Sequence, residues 1–482
     1  MRRGSAFGRL SAASPRVPGV TTVPLPRSRP ADQGVASGGI TGLLDAVESA
    51  PDIELHSLMV LRHGFVVAEG WWAPYGPEQL QLLYSLSKSF TATAAGLAAA
   101  EGLLDLDDPV VSHLPEVADA ATHPWTRSMR LRHLAAMATG HREDTLDRAV
   151  RLDPQEPLRG FLSLAPEAEP GSVFAYNNGA TYALAAVVQR RTGMTLSAYL
   201  RPRLLEPLGI GASAWHEHPA GRELGFSGFH LTTEAVTRFG QLYLDDGVWQ
   251  GRRLLPAGWV AEASRLHTPN PAEAHPDWRQ GYGYQFWRSR HGYRGDGAYG
   301  QFCLVLPEQD AVVVTTAQTE NMQGLLDAVW VHLLPAFDAA SPEQDESLAT
   351  RLSGLALPAD GTGLGGTGLA EAETRIRVYR VAPDPQGGWL VTLADGEHGV
   401  TVACGDGEWR SSSFALPGRR RLEVAASARA VDGTVVVQLV FPQTPHRLVL
   451  TVDPATLTTS AKWQTLPLHA PTLSGLALVD PG

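Results

Sequence analysis

The sequence predicts an α+β protein in which helices flank an antiparallel sheet and form a subdomain, and in which a small antiparallel β-domain follows at the C-terminus. The first observation is that strand-like runs lie at both ends of a mainly helical block. Before the block, runs at 54–61 and 65–71 are joined by the turn-forming Arg62-His63-Gly64. After the block, runs follow at 281–287, 291–294, 300–306 and 311–317. Strands from both ends of a domain can form one sheet that is covered by helices.

The second observation is the helical block itself, which shows apolar periodicity and glycines where helices should end. Helices are predicted over 91–100, 129–138, 179–191, 196–205, 232–245 and 321–334. Gly102, Gly140 and Gly193 follow the first three of these segments and favour their termination. Pro202 is expected to kink the fourth.

The chain is 482 residues long and therefore favours two folded domains. We predict a flexible N-terminal tail over 1–38, a first domain over 39–340, a Gly-rich linker over 341–368 and a β-domain over 369–482. Five glycines between 361 and 368 leave little for the linker to bury. The β-domain is predicted from alternating apolar runs at 375–381, 389–393, 399–404, 422–428, 434–441 and 447–452.

Composition narrows the classes of partner. A net charge of −11, with no basic cluster larger than Arg419-Arg420-Arg421, argues against nucleic acid and anionic membranes as partners. We find no apolar run long enough for a signal-peptide core or a membrane span. Cys303 and Cys404 are about a hundred residues apart, which disfavours a disulfide and fits no metal site. These features predict a soluble cytoplasmic protein without metal or other cofactor, and they leave homo-oligomer formation open.

Lysine is almost absent: Lys88 and Lys462 are the two lysines among 39 basic residues. Lys88 follows Ser85 by three positions at the start of the helix predicted over 91–100, and residues spaced i and i+3 share a helix face. A guanidinium keeps its proton near neutral pH, whereas a desolvated ammonium can lose it. Ser85 is therefore a candidate nucleophile and Lys88 a candidate base. Compositional drift with chance retention of two lysines is the alternative.

Two later segments carry residues of matching chemistry. Tyr176 and Asn178 lie two apart before a predicted helix, where a phenol and an amide can face one pocket. A buried tyrosine with a helix-capping asparagine is the alternative. In Gly295-Asp296-Gly297-Ala298-Tyr299-Gly300, the glycines allow close approach of a substrate and leave N–H groups available for an oxyanion hole. A tight hairpin turn is the alternative here.

In this order and spacing, the three segments resemble the serine β-lactamase and penicillin-binding-protein superfamily. The resemblance is to its class C β-lactamase-like serine hydrolases, which include esterases and 6-aminohexanoate-dimer hydrolases. It covers roughly residues 40 to 340. Further segments that agree are Leu104-Asp105-Leu106-Asp107-Asp108-Pro109-Val110, Leu131-Arg132-His133-Leu134 leading to Thr139-Gly140, Pro170-Gly171 and Arg238-Phe239-Gly240.

The resemblance implies a role for each matching residue. Ser85 would be the acyl-accepting nucleophile, Lys88 its general base and Tyr176 a proton shuttle to the leaving group. Asn178 would donate a hydrogen bond to the substrate. The oxyanion hole would consist of the backbone N–H groups of Ser85 and Ala298, the latter following Gly297.

The third segment departs from the family pattern. The family usually has Lys or His, then Thr or Ser, then Gly, where this chain has Gly295-Asp296-Gly297. The missing cation argues against efficient turnover of penicillins or cephalosporins. Arg294 or His291 could supply the charge instead, and a surface position on a strand is the alternative for both.

We therefore predict a serine hydrolase that forms an acyl-enzyme with small esters or amides, including peptide-like or D-amino-acid amides. A penicillin-recognising protein that is acylated with little turnover is a second hypothesis. A third is that the C-terminal β-domain is the functional module; otherwise we expect it to border the site or a dimer contact without supplying catalytic groups. His133, His141 and His230 are rival bases, but Ser85 lacks the Gly-x-Ser-x-Gly setting of α/β-hydrolases.

Overall fold

A computed structural model of the chain describes residues 23–359, 375–396 and 398–479. Its helices are Ser37–Ser49 (α1), Ser87–Ala100 (α2), Val110–His113 (α3), Pro124–Ser128 (α4), Leu131–Ala135 (α5), Leu146–Leu152 (α6), Pro157–Ser163 (α7), Asn178–Thr192 (α8), Leu196–Leu200 (α9), Thr233–Leu244 (α10), Trp259–Ser264 (α11), Met322–Ala328 (α12) and Asp345–Ser353 (α13). Within these described ranges, no helix has the length and apolar character needed to cross a lipid bilayer.

The strands of the first domain form one large antiparallel sheet and two small ones. They are Glu54–Arg62 (β1), Phe65–Trp71 (β2), Gln81–Leu82 (β3), Ala214–Trp215 (β4), Phe229–Leu231 (β5), Val248–Trp249 (β6), Arg252–Arg253 (β7), Trp287–Arg288 (β8), Tyr293–Gly297 (β9), Gln301–Leu306 (β10) and Ala311–Gln318 (β11). The large sheet has the order β2-β1-β11-β10-β9-β8, so strands from both ends of the helical block pair as predicted. The predicted α+β fold is confirmed.

Helix α2 is buried along most of its length because it lies between the sheet and other helices. Its residues are mostly small, and Gly96 lets the Trp259 ring approach so closely that an added Cβ would lie 2.5 Å from it. A 3-10 turn, Tyr84–Leu86, leads directly into α2. This turn places Ser85 at the edge of the core. The first turn of α2 places Lys88 inside the core.

Local signals set the ends of α8. The Asn177 side chain caps its N-terminus by accepting a hydrogen bond from the Ala180 N–H, and Gly193 ends it with φ 68°. The preceding Tyr176 and the first helical residue, Asn178, therefore sit at a fixed helix start.

The predicted C-terminal β-domain consists of antiparallel strands over a core of its own. The strands are Arg377–Pro383 (β12), Trp389–Ala394 (β13), Gly399–Cys404 (β14), Arg410–Leu416 (β15), Arg420–Val431 (β16), Thr434–Val440 (β17), Arg447–Val452 (β18), Thr459–Trp463 (β19) and Leu478–Val479 (β20). Strands β12 to β14 form one sheet, and β15 to β19 form another in which β20 pairs with β16. The sequence prediction lacked β15, β19 and β20.

The C-terminal strands contact the first domain through polar groups. The Leu82 N–H of β3 donates to Gln443 O at 2.9 Å, and Tyr75 Oη donates to Thr444 O at 3.2 Å. Arg447 pairs with Glu54 at 2.8 Å, with side-chain exposures of 2 % and 16 %. These contacts hold the C-terminal domain against the chain that leads into Ser85.

Two predicted unstructured segments differ in the structure. Part of the predicted tail, from residue 23 onward, packs on the first domain: Leu25 is buried, and the Ser28 N–H donates to Val66 O at 3.0 Å. Part of the predicted linker forms α13, whose Leu348 is buried. In both places apolar side chains find a surface to cover. Residues 1–22 and the linker glycines at 361–368 lie outside the described residues.

Two predicted elements are shorter than expected. The helix predicted over 129–138 is regular over α5, and Met137 just beyond it has φ 56°. Of the strand predicted over 281–287, Trp287 pairs with β9, whereas Gly281 and Gln285 have φ of 85° and 60°. Left-handed backbone conformations interrupt a regular helix or strand.

Candidate active site

Ser85 and Lys88 form a close pair at the start of α2. Lys88 Nζ lies 2.8 Å from Ser85 Oγ. Ser85 is half-buried, whereas Lys88 is 1 % exposed. A reagent can therefore reach the serine hydroxyl while the amine behind it is sealed from water.

Two further groups surround the Lys88 amine. Lys88 Nζ donates to Asn178 Oδ1 at 2.7 Å and to the Phe226 carbonyl oxygen at 2.9 Å. Both of these oxygens can only accept hydrogen bonds. A neutral amine has two N–H groups and one lone pair, so satisfying both oxygens leaves its lone pair for the Ser85 hydroxyl proton. The geometry fits a neutral lysine that acts as a base.

The environment of Lys88 favours loss of its proton. Burial lowers the pKa of Lys88 to about 7, while the carboxylates of Asp144 and Asp296 oppose that shift. A substantial fraction of molecules therefore carries the neutral amine near neutral pH.

Tyr176 lies beside this pair and stacks on the Trp287 ring at 5.6 Å between centroids. Lys88 Nζ is 4.8 Å from the centre of the phenol ring. Burial raises the pKa of Tyr176 above its ordinary value, and its contact with the Ser85 side chain only partly opposes this. Near neutral pH the phenol keeps its proton and can donate it.

Asn178 has protein partners on both ends of its amide. In addition to its contact with Lys88, its Nδ2 donates to Asp144 Oδ2 at 2.6 Å and its backbone N–H donates to Asp144 Oδ1 at 2.9 Å. The predicted role was donation to a substrate. The contacts orient the amide oxygen toward Lys88, and donation from Asn178 to a substrate stays a prediction.

The third segment lies against the nucleophile turn. A Cβ at Gly297 would come within 2.1 Å of Leu83 O, so only glycine permits this approach. Gly297 thus brings Ala298 next to the turn that contains Ser85. In the part of the chain that the structure describes, no turn or loop carbonyl accepts a hydrogen bond from the N–H of Ser85 or Ala298.

The cation considered as a replacement for the family lysine is not available to a substrate. Arg294 is fully buried, its Nε donates to Asp296 Oδ2 at 2.9 Å, and its guanidinium lies 4.4 Å from the centre of the Trp278 ring. A surface position for Arg294 is therefore wrong, and its charge is balanced by Asp296. His291 is half-exposed and packs near Trp330, 5.1 Å between ring centres.

The three rival histidines are occupied elsewhere. His133 caps the start of α5 and lines a separate cleft of about 460 Å³ that contains neither Ser85 nor Lys88. His141 contacts Thr139 Oγ1 at 2.9 Å, and His230 Nδ1 donates to Gly228 O at 3.0 Å. Within the described ranges, no group of three or more His, Cys, Asp or Glu residues is arranged to hold a metal ion. Cys303 and Cys404 are buried and free.

Sequence reasoning missed two groups that touch this site. Asp144 holds Asn178, and the Phe226 carbonyl holds Lys88. Asp144 lies four residues after Gly140, which belongs to a segment quoted for the family resemblance, and this proximity was a weak signal that Asp144 is near the site. A backbone carbonyl leaves no signal in a sequence, because its role depends on the path of the chain.

Comparison with known proteins identifies the family of the chain. The model of the beta-lactamase family matches residues 31–334, which is well over half of the chain. The chain belongs to the beta-lactamase family. The resemblance to the serine β-lactamase and penicillin-binding-protein superfamily is thereby confirmed, as is the predicted class of enzyme, a serine hydrolase.

Individual relatives of this beta-lactamase family member carry several names. The 6-aminohexanoate-dimer hydrolase of Paenarthrobacter ureafaciens is 26 % identical over 337 residues, which cover 61 % of this chain and 84 % of that protein. Penicillin-binding protein 4 of Amycolatopsis lactamdurans is 28 % identical over 258 residues, which cover 45 % of this chain and 65 % of that protein.

A solved structure supports the fold. A penicillin-binding protein homologue from Caulobacter crescentus is similar with a TM-score of 0.50 at 19 % identity, covering 62 % of this chain and 99 % of that one. The family match ends at residue 334, so the C-terminal β-domain lies beyond it.

Proposed function

We propose that this beta-lactamase family hydrolase cleaves small esters or amides through an acyl-enzyme on Ser85, with Lys88 as the base. The observation that carries the proposal is the sealed Lys88 amine, 2.8 Å from Ser85 Oγ and with a pKa lowered to about 7. A base with a pKa near the working pH combines a large neutral fraction with useful basicity.

Acylation would begin with the neutral Lys88. Its lone pair takes the Ser85 hydroxyl proton while Oγ attacks the substrate carbonyl carbon, and the N–H groups of Ser85 and Ala298 stabilise the oxyanion. The protonated Tyr176 gives its proton to the leaving alcohol or amine, and Lys88 returns a proton to Tyr176. The leaving group departs neutral, and Ser85 carries the acyl ester.

Deacylation would use the same groups with water as the nucleophile. The Lys88 amine, directly or through Tyr176, takes a proton from water as its oxygen attacks the acyl carbon. Collapse of the intermediate releases the acid and returns a proton to Ser85 Oγ. Asn178 keeps the amine oriented through both steps, with Asp144 fixing the amide.

The test is a panel of chromogenic acyl esters and aminoacyl amides offered to wild type and to Ser85→Ala. Wild type should turn over at least one ester and show a mass increase equal to its acyl group when the reaction is quenched early. Ser85→Ala should show neither. Residual turnover of Ser85→Ala above about a thousandth of the wild-type rate would place the nucleophile elsewhere.

Burst kinetics separate this proposal from a penicillin-recognising trap. A stoichiometric burst followed by steady turnover is expected for a hydrolase. A burst followed by no further release of product would identify a protein that is acylated and does not recover.

A further inference from the structure

Two tyrosines flank the proposed oxyanion hole. Tyr84 immediately precedes Ser85, and Tyr299 immediately follows Ala298. Both residues have positive φ, 46° and 68°, in the left-handed region that residues other than glycine rarely adopt. Each backbone N–H that would stabilise an oxyanion therefore adjoins a residue that its surroundings must hold in place.

The C-terminal domain holds the first of these tyrosines. Tyr84 Oη lies 2.5 Å from His446 Nε2, and His446 Nδ1 lies 3.1 Å from Thr465 O. A carbonyl oxygen only accepts, so His446 carries its proton on Nδ1 and offers a lone pair on Nε2. The Tyr84 hydroxyl is consequently the donor, and the Leu468 N–H donates to its oxygen at 3.4 Å.

The C-terminal domain also holds the second tyrosine, Tyr299. Tyr299 Oη donates to Leu466 O at 2.6 Å. The two tyrosine rings meet edge to face at 5.7 Å, and their residues are 3 % and 8 % exposed. His469 stacks on Tyr84 at 5.6 Å from the other side.

We infer that the C-terminal β-domain sets the geometry of the oxyanion hole by fixing Tyr84 and Tyr299, and that His446 is a positioning residue acting through Tyr84. The inference rests on the proposed function, in which the N–H groups of Ser85 and Ala298 do the stabilising. Such donors act only when aimed at the developing charge, so small displacements of either tyrosine are expected to slow the reaction. In the described part of the chain, none of these three side chains is hydrogen-bonded to Ser85 or Lys88.

The test removes single hydroxyl groups and keeps the rings. Tyr84→Phe and Tyr299→Phe each delete one contact to the C-terminal domain. Tyr75→Phe is the matched control, because Tyr75 Oη also donates to a carbonyl across this interface while its ring stacks on His56, away from the nucleophile turn. The measurements are kcat and KM with p-nitrophenyl acetate, and the thermal midpoint of each variant.

We expect kcat to fall at least about tenfold in Tyr84→Phe and Tyr299→Phe, with KM within about twofold of wild type. The control should keep kcat within about twofold, even if its thermal midpoint falls as much as theirs. Wild-type kcat in both flanking variants would overturn the inference. An equal loss of kcat in Tyr75→Phe would also overturn it, because general loosening of the interface would then suffice.

A second variant covers the role of His446 and the risk of misfolding. His446→Phe keeps a ring and removes the acceptor, so its kcat should fall as in Tyr84→Phe. The double variant that combines His446→Phe with Tyr84→Phe should show no further loss of kcat. Losses that multiply would overturn the role of His446. Ser85→Ala separates the two proposals: if it abolishes turnover while the tyrosine variants are unaffected, the proposed function stands and this inference fails. If Ser85→Ala stays active, the proposed function itself fails.

Discussion

The two sides of the proposed site are supported from different parts of the molecule. Lys88 contacts both Ser85 and Asn178, and all three residues lie within the region that matches the beta-lactamase family. The backbone donors facing them adjoin tyrosines that are held by residues 446–468, beyond that match. On the proposed assignment, the side-chain chemistry and the alignment of the backbone donors are supported by different parts of the chain. The first depends on the environment of one amine, and the second on contacts between domains.

The side of the site that consists of Ser85, Lys88 and Asn178 is tested most strongly by Lys88→Arg. Arginine keeps the positive charge and much of the reach but cannot supply a neutral base, so acylation should slow by roughly two to four orders of magnitude. Stopped-flow acylation by a chromogenic ester measures the rate, with thermal unfolding as the folding control. Lys462→Arg changes the other lysine of the chain and should acylate at the wild-type rate. A Lys88→Arg variant within a few-fold of wild type would show that Lys88 serves as a fixed charge.

The pH dependence of acylation tests the role of Lys88 further. Lys88 must be neutral to act, and its pKa is lowered to about 7, so the acylation rate should rise with pH up to about 7 and then level off. Between pH 7 and pH 5 the expected fall is about fiftyfold, since half of the amine is neutral at its pKa and about one hundredth is neutral two pH units below it. Because burial raises the pKa of Tyr176, no second fall is expected between pH 8 and 10. A rate independent of pH between 5 and 8 would contradict a lysine base.

The substrate side of the comparison concerns the third segment. Arg294 is buried and balanced by Asp296, so its guanidinium is not available for a substrate carboxylate. Losing one charge-assisted contact costs about 1.5 to 3 kcal/mol, or roughly ten- to a hundredfold. Small neutral esters should therefore be cleaved at least tenfold faster than penicillins, measured as kcat/KM on the same preparation. Equal values for both substrates would contradict this account.

The smallest expected effect concerns the contact between the domains. Burial alone would raise the pKa of Glu54, but Arg447 chiefly outweighs it and lowers the pKa to about 2. An acid whose pKa is lower in the folded state stabilises the fold above its unfolded pKa of about 4.5, and that contribution is lost as pH falls toward 2. Between pH 6 and pH 3, wild type should lose about 2 kcal/mol more unfolding free energy than Glu54→Gln. Urea titrations at both pH values measure the difference, and parallel losses would exclude this linkage.

Parts of the site that lie close together along the chain could be predicted from the sequence, whereas parts that lie far apart could not. Ser85 and Lys88 are three residues apart, so helix geometry alone puts them together. Tyr176 and Asn178 lie at the start of a helix whose end is marked by Gly193. By contrast, His446 contacts Tyr84 across 362 positions, and neither residue carries a local signal of the other.

The fold shows the same limit. Strands with continuous apolar runs, such as β11, were predicted almost to the residue, since burial of both faces leaves a clear pattern. Strand β15 begins with Arg410 and three consecutive serines, so it lacks a continuous apolar run, and it was missed. The burial of Arg294 was also unpredictable, because it depends on Trp278 covering one face of the guanidinium and Asp296 neutralising it.

The backbone bond from Leu82 N–H to Gln443 O has a consequence for exchanging modules between relatives. A chimaera cut at the end of the family match would separate the chain entering the nucleophile turn from the partner that it pairs with. A graft that is to retain activity should carry the segment 441–470 together with residues 75–85, so that donor and acceptor are inherited as one unit. The boundary between the two domains is thus a poor place for recombination.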